Sequence, residues 1–287
     1  DGHAKKNKWA KTWLPEDKKE ESDDMKWFWF DKNGKLYRTE ATASNAIQYD
    51  FKDGVVTPKK NDDGTNKEFA VSKKKVNSKD YWFRKDGAML SKFYMVDGKM
   101  YYFGGGDDGA MRTGKTTINY DGENTSFYFE KSGGKKGAGV TGEKDDKLYQ
   151  SGMLLKADSD DKYIVVDKTT KYKTVDGQKV LDYVTYNKLD DAKDFMAQDD
   201  VLESNTAVDA DGKIDLGNNN KKKAEDISEA YTIRYKAYGS SDMTTHEYFL
   251  VNTSGKVIDN RGKNKDGSDY YYVTDNSGKI TNIYVED

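Results

Sequence analysis

Two aromatic runs closed by the same tetrad constrain this chain more than any other feature. Tyr81-Trp82-Phe83 leads through a short polar gap to Asp86-Gly87-Ala88-Met89. Tyr101-Tyr102-Phe103 leads through a glycine-rich gap to Asp108-Gly109-Ala110-Met111, and the two tetrads lie 22 residues apart. An aromatic strand, a dipeptide tolerant of positive φ and a second apolar run spell a β-hairpin, with a type I′ turn expected at Asp-Gly. A period near 20 residues spells a stack of hairpins, each burying only a thin strip against its neighbours.

The rest of the chain echoes the pattern. Trp9 and Trp13 follow Asp1-Gly2, and Trp27-Phe28-Trp29-Phe30 runs into Asn33-Gly34-Lys35-Leu36. Phe127-Tyr128-Phe129 precedes Ser132-Gly133, and Leu148-Tyr149 precedes Ser151-Gly152-Met153-Leu154. Tyr248-Phe249-Leu250-Val251 precedes Ser254-Gly255-Lys256-Val257, and Tyr270-Tyr271-Tyr272-Val273 precedes Ser277-Gly278-Lys279-Ile280, with these glycines 23 apart. Of the 26 glycines, 15 follow Asp, Asn or Ser, where chance would place about six or seven, so the turn chemistry is systematic. Residues 40–78 read as a degenerate repeat with a long loop around Pro58–Thr65. The stretch 156–245 departs: Leu189, Ala192, Phe195/Met196 and Leu202 recur at helical spacing within Asn187–Ser204, while Tyr231-Thr232-Ile233-Arg234-Tyr235 alternates as a strand. The expected fold is mainly β, a repeated β-hairpin solenoid over 1–155 and 246–287, with a mixed α+β insertion or diverged subdomain over 156–245.

Composition removes several function classes. A chain that is 34% hydrophobic and 34% charged has too few aliphatics for one large globule, and its 13% aromatics argue against disorder. Net charge is −3, with 43 Lys against 5 Arg; phosphate and base readers favour the forked guanidinium, so no nucleic-acid partner is expected. No apolar run approaches spanning length, so no membrane insertion is expected. The absence of cysteine fits an extracellular protein that does without disulfides.

Motifs that match by letter fail on context. Gly109–Thr116 satisfies the P-loop expression, but the β-prone Thr116-Thr117-Ile118-Asn119-Tyr120 follows where a helix must begin. Gly104/Gly106/Gly109 and Gly137/Gly139/Gly142 fit a dinucleotide fingerprint but lack the βαβ frame, and read as turn glycines, so no cofactor is expected. In Asp209-Ala210-Asp211-Gly212 the glycine stands at position 4 of a calcium loop rather than 6, and Asn220 occupies position 12; a hairpin turn is favoured and no metal is expected. His3 and His246 are the only histidines and no two of the 51 acids stand out, so catalytic residues are not assigned.

The aromatics remain. Packed between hairpins they form the core. Yet Trp27–Phe30 and Tyr270–Tyr272 put large rings on both faces of a strand, and a face turned to solvent would stack on sugar rings or cage a quaternary ammonium. The order of aromatic pair, turn, Gly-x-Met and Thr113-Gly114 resembles the cell-wall-binding repeat family. That family includes the choline-binding modules of Gram-positive surface proteins and phage lysins, the glucan-binding repeats of glucosyltransferases and the carbohydrate-binding repeats of large clostridial toxins. The resemblance covers about 1–38, 81–155 and 246–287. In the choline-binding branch a Trp follows Thr-Gly; here Lys115 follows Thr113-Gly114, Glu143 follows Thr141-Gly142, Phe93 holds the comparable place one repeat earlier, and Trp9 alone supplies Trp.

The resemblance implies non-catalytic binding of a cell-wall polysaccharide, teichoic acid or host glycan by an extracellular, secreted or cell-wall-associated region of a larger protein. The candidate carbohydrate-binding residues are Trp29, Tyr81, Trp82, Phe93, Tyr101 and Tyr102. The alternative is a structural stalk or adhesin region with its rings buried between repeats, and exposure of Trp29, Trp82 and Tyr102 separates the two. A third reading places an enzyme in 156–245.

Overall fold

The computed structural model describes residues 5–13, 25–39, 43–52, 55–120, 122–189, 201–235, 243–267 and 269–287. The dipeptide Asp1-Gly2 and residues 190–200 of the expected helix lie outside them. The described flanks of that helix are strand, ending Gln178–Leu189 and forming Leu202–Ser204. The protein is mainly β, built of antiparallel hairpins; among the described residues the helical elements are two single 3-10 turns, Gly133–Lys135 and Ala224–Asp226. It divides into two compact units, Asp1–Gly139 and Val140–Asp287.

The hairpins use two turns, and the type I′ turn is not where the tetrads suggested. Asp31 shows the first kind. Its N–H donates to Lys35 O, Gly34 N–H donates to Asp31 O, and its carboxylate accepts the N–H groups of Asn33 and Lys35 at 2.8 and 2.9 Å. The same four bonds close Asp209–Lys213, Asn252–Lys256 and Asp275–Lys279. Gly87 ends a related turn with φ +92°, whereas Asp86 before it keeps negative φ and caps Ala88 N–H at 2.9 Å. This is a type I turn followed by a left-handed glycine, because the acidic side chain satisfies backbone donors that a two-residue turn would leave to the ladder. Type I′ geometry, with positive φ at both central residues, falls instead at Asn77-Ser78, Asp97-Gly98, Asp145-Asp146, Ser151-Gly152 and Asp176-Gly177. Val76↔Lys79, Val96↔Lys99 and Val175↔Gln178 are among the pairs that close these hairpins.

In the first unit one antiparallel sheet runs in the order Lys79–Arg84, Glu68–Val76, Ser44–Lys52, Phe93–Val96, Lys99–Tyr102, with Val55–Pro58 also on Ser44–Lys52. The long loop expected around Pro58–Thr65 is a tight turn, Asn61 N–H to Thr65 O at 2.8 Å. Successive repeats are joined by a ladder. Met89 N–H donates to Trp27 O, Met111 N–H to Asp80 O and Gly139 N–H to Met100 O. The side chain of each apolar post-turn residue lies on the next turn glycine: a Cβ on Gly109 would sit 2.1 Å from Met89 Sδ, and one on Gly137 2.4 Å from Met111 Sδ. The Gly-x-Met spacing is therefore a stacking contact, not only a turn.

The second unit repeats the device. A Cβ on Gly255 would lie 2.7 Å from Leu154 Cδ1, and one on Gly278 2.3 Å from Val257 Cγ1. Between Leu154 and Gly255 the chain makes the long hairpin Tyr163–Val175/Gln178–Leu189, with Thr244–Asn252 on its other side. It then makes a sheet ordered Leu202–Ser204, Ile227–Ile233, Ile280–Glu286, Tyr270–Thr274, Asn264–Lys265. Val165, Tyr248, Leu250, Tyr272, Ile280 and Ile283 form the core between these. Each is under 5% exposed.

Candidate functional site

Period-2 alternation sorts the aromatic runs into three packed groups. Tyr81 and Phe83 turn one way, against Trp9 at ring-centroid distances of 4.8 and 5.8 Å, with Trp29 5.2 Å from Trp9. Phe93 and Tyr102 lie together at 4.7 Å over Phe127 and Phe129. Trp82 and Tyr101, 6.0 Å apart, turn to a third place over Phe103. The six predicted residues thus do not make one site. Trp29 (5% exposed), Tyr81 (8%), Phe93 (2%) and Tyr101 (8%) are buried in the core, and burial raises the pKa of the Tyr81 and Tyr101 hydroxyls above the ordinary value. The expectation of one free face per aromatic strand is corrected here: repeats pack against both faces. Tyr102 is half-buried, its hydroxyl raised by burial and flanked by the Arg112–Asp108 ion pair.

Trp82 and Tyr101 border a cavity of about 260 Å³. Val96 completes its apolar wall, and Gly133 and Gly134 of the first 3-10 turn bring bare backbone to its edge. Lys73, Lys99, Lys136 and Asp97 form the rim. Register explains the assembly. Lys73 is the cross-strand partner of Trp82, and Lys99 is two residues from Tyr101 on the same strand face. Behind the rim Asp80 accepts from Lys136 Nζ at 2.9 Å and from Lys73 Nζ at 3.4 Å; burial pushes its pKa up, but the two lysines hold it below the usual carboxylate value. The Trp82 Nε1 donor is buried and has no partner among the described residues, a condition that costs about 1–3 kcal/mol. The lysines read in sequence as a solvated surface. The signal that could have found them is the Asp97-Gly98 turn, which fixes Lys99 beside Tyr101.

A broader depression of about 520 Å³, lined by Asp31, Lys35, Leu36, Tyr37, Arg38 and Lys74, offers less. Lys74 Nζ already sits 4.4 Å from the centre of the Tyr37 ring.

The phosphate and cation motifs fall on a strand and a hairpin turn. After Gly109–Thr113 the chain continues as the strand Gly114–Tyr120. The Asp209 carboxylate accepts two backbone N–H groups and Lys221 Nζ at 3.0 Å, and no cluster of three metal-ligating side chains occurs among the described residues. His246 does have a carboxylate: Nδ1 lies 3.1 and 3.0 Å from the two oxygens of buried Asp167. Thr169 Oγ1 approaches the same Nδ1 at 3.4 Å. Carboxylate and hydroxyl share one ring nitrogen, so no relay from one to the other through the ring exists. No helix among the described residues is long and apolar enough to cross a membrane.

No protein-family model matches the chain, and no curated protein matches it. Solved structures that it resembles include CbpF in complex with ipratropium, at 14% identity and TM-score 0.25, covering 91% of this chain and 64% of that one. CbpJ from Streptococcus pneumoniae TIGR4 matches at 13% identity and TM-score 0.26, covering 96% and 70%. Alternansucrase in complex with isomaltononaose matches at 14% identity and TM-score 0.23, covering 91% and 18%. The chain spans less than two thirds of the CbpF and alternansucrase chains that it matches.

Proposed function

We propose that the first unit binds a surface or cell-wall carbohydrate polymer without catalysis, at the cavity between Trp82 and Tyr101. The observation that carries this is the pairing of two ring systems with a hydrogen-bonding rim in one concave place, the arrangement that a sugar's apolar face and hydroxyls require. Tyr102, packed on Phe93 and Phe129 away from the cavity, joins Trp29, Tyr81 and Phe93 in holding the repeats together. A stacked ring contributes about 0.5–1.5 kcal/mol, so one site is weak and useful affinity needs several engaged at once. Such a module acts outside the cell, as part of a larger secreted or surface protein. Residues 156–245 are an insertion between two repeats, which the packing of Leu154 on Gly255 supports.

Burial of Trp29 and Phe93 favours a second reading, a structural stalk with no glycan site of its own. One experiment separates them. Gly134 borders the cavity with ordinary φ, and a Cβ there meets nothing within 4 Å, so Gly134→Phe sets a large ring at the cavity's border without a clash at its Cβ. Pull-down on purified cell walls and a polysaccharide panel should show binding by the parent and at least tenfold less by the variant, at an unchanged urea midpoint. Equal binding by both overturns the cavity as the site, and no binding by the parent leaves the stalk.

A further inference from the structure

The charge of the cavity rim and the state of the other ring faces bear on which carbohydrate fits. Three ammonium groups, Lys73, Lys99 and Lys136, stand around Trp82 and Tyr101 against two carboxylates, Asp80 and Asp97. Asp80 lies behind the rim between Lys73 and Lys136, its side chain 12% exposed. Asp97 accepts the Asn45 N–H at 3.1 Å. Lys99 is exposed and meets no carboxylate among the described residues. The balance is one positive charge, carried at the mouth.

Ring faces elsewhere carry lysines of the chain itself. Lys74 lies over Tyr37 at 4.4 Å, Lys263 and Lys265 over Tyr271 at 4.8 and 5.2 Å, and Lys131 over Tyr128 at 5.9 Å. These ammonium groups occupy the place an external cation would take over a ring, and each would have to be displaced first.

We propose that the Trp82–Tyr101 cavity takes a carbohydrate bearing an anionic substituent, a carboxylate or a phosphodiester, and excludes quaternary ammonium groups. This rests on the reading of the cavity as a carbohydrate site and adds the class of substituent. Trp82 with the exposed part of Tyr101 takes the sugar face and Lys99 takes the charge, while Lys73 and Lys136 keep their bonds to Asp80.

The test is titration calorimetry on the full chain with four probes: polygalacturonate, poly(glycerol phosphate), dextran and choline chloride. At least one polyanion should bind more tightly than dextran and choline, and whichever does identifies carboxylate or phosphodiester as the source. Its affinity should fall at least fivefold between about 0.1 M and about 1 M salt, as the screening length drops from about 10 to about 3 Å. Lys99→Gln should weaken it about two- to fivefold, the range of an exposed ion pair. Lys115→Gln, outside the cavity, should change nothing, and Gly134→Phe should abolish binding. Dextran binding as tightly as either polyanion, with no effect of salt or of Lys99→Gln, overturns the anionic class and leaves the carbohydrate site standing. Choline binding tighter than the polyanions overturns it too, as does an equal loss in Lys115→Gln. If neither polyanion nor dextran binds, the carbohydrate reading fails and this inference falls with it.

Discussion

The stacking ladder makes a sharp prediction at Gly109. Its φ of +67° belongs to the left-handed region, and a Cβ there would meet Met89 Sδ at 2.1 Å, Cε at 2.3 Å and Cγ at 2.7 Å. Gly109→Ala therefore adds two costs. The left-handed conformation of a non-glycine residue costs about 1–2 kcal/mol. Pushing Met89, which is 8% exposed in the core with Tyr81, Phe83 and Ala110, costs about 1–2 kcal/mol more, the low end of overpacking because a thioether arm can swing. The sum is about 2–4 kcal/mol. Gly98 is the control: its φ is +74°, but nothing lies within 4 Å of its Cβ, so Gly98→Ala carries the backbone cost alone. All five tryptophans fall between Trp9 and Trp82, so indole fluorescence during urea unfolding reads the first unit by itself. Adding Met89→Ala to Gly109→Ala should cost less than the two singles summed, a coupling of about 0.5–2 kcal/mol. Equal costs for Gly109→Ala and Gly98→Ala, or strict additivity with Met89→Ala, would falsify the ladder.

Three further predictions concern titration and hydrogen bonding. Burial pushes the Tyr94 hydroxyl up to about 12 from 10; the stability it lends the neutral form is whole below pH 10 and is lost as pH climbs toward 12, by about 2–3 kcal/mol, so Tyr94→Phe should blunt the alkaline loss seen by indole fluorescence. Asp31, Asp63 and Asp209 are held below their ordinary carboxylate value, Asp31 and Asp209 chiefly by backbone N–H donors and Asp63 by Thr65. A depressed carboxylate stabilises above its unfolded value and loses that as pH falls below about 3.8 through the folded value, so Asp209→Asn should flatten the acid limb of the circular-dichroism midpoint. Tyr235 donates to Ile280 O at 2.6 Å, and Tyr235→Phe should cost about 1–2 kcal/mol in circular dichroism while indole fluorescence is unmoved.

Hairpins were legible because turns are local. An Asp, Asn or Ser directly before a glycine, between an aromatic run and an apolar one, states a turn within a few positions. Which turn it states was less legible. Asp-Gly alone suits type I′, and only the cap from Asp31 or Asp275 to donors two and four residues on selects the other kind. The aromatic faces were misread for a different reason. A strand with rings on both sides exposes one of them in a lone sheet, but in a stack Tyr81 meets Trp9 while Trp82 meets Tyr101 and Phe103, contacts set by residues up to 72 positions apart. The same long-range register that buries Trp29 and Phe93 gathers the lysines. Lys73 reaches Trp82 only through strand pairing, and Lys136 only through its bond to Asp80, 56 residues away. A residue's neighbour across the sheet decides whether an aromatic–lysine pair is a solvated surface or one wall of a cavity, and that neighbour is fixed by the stack rather than by the hairpin.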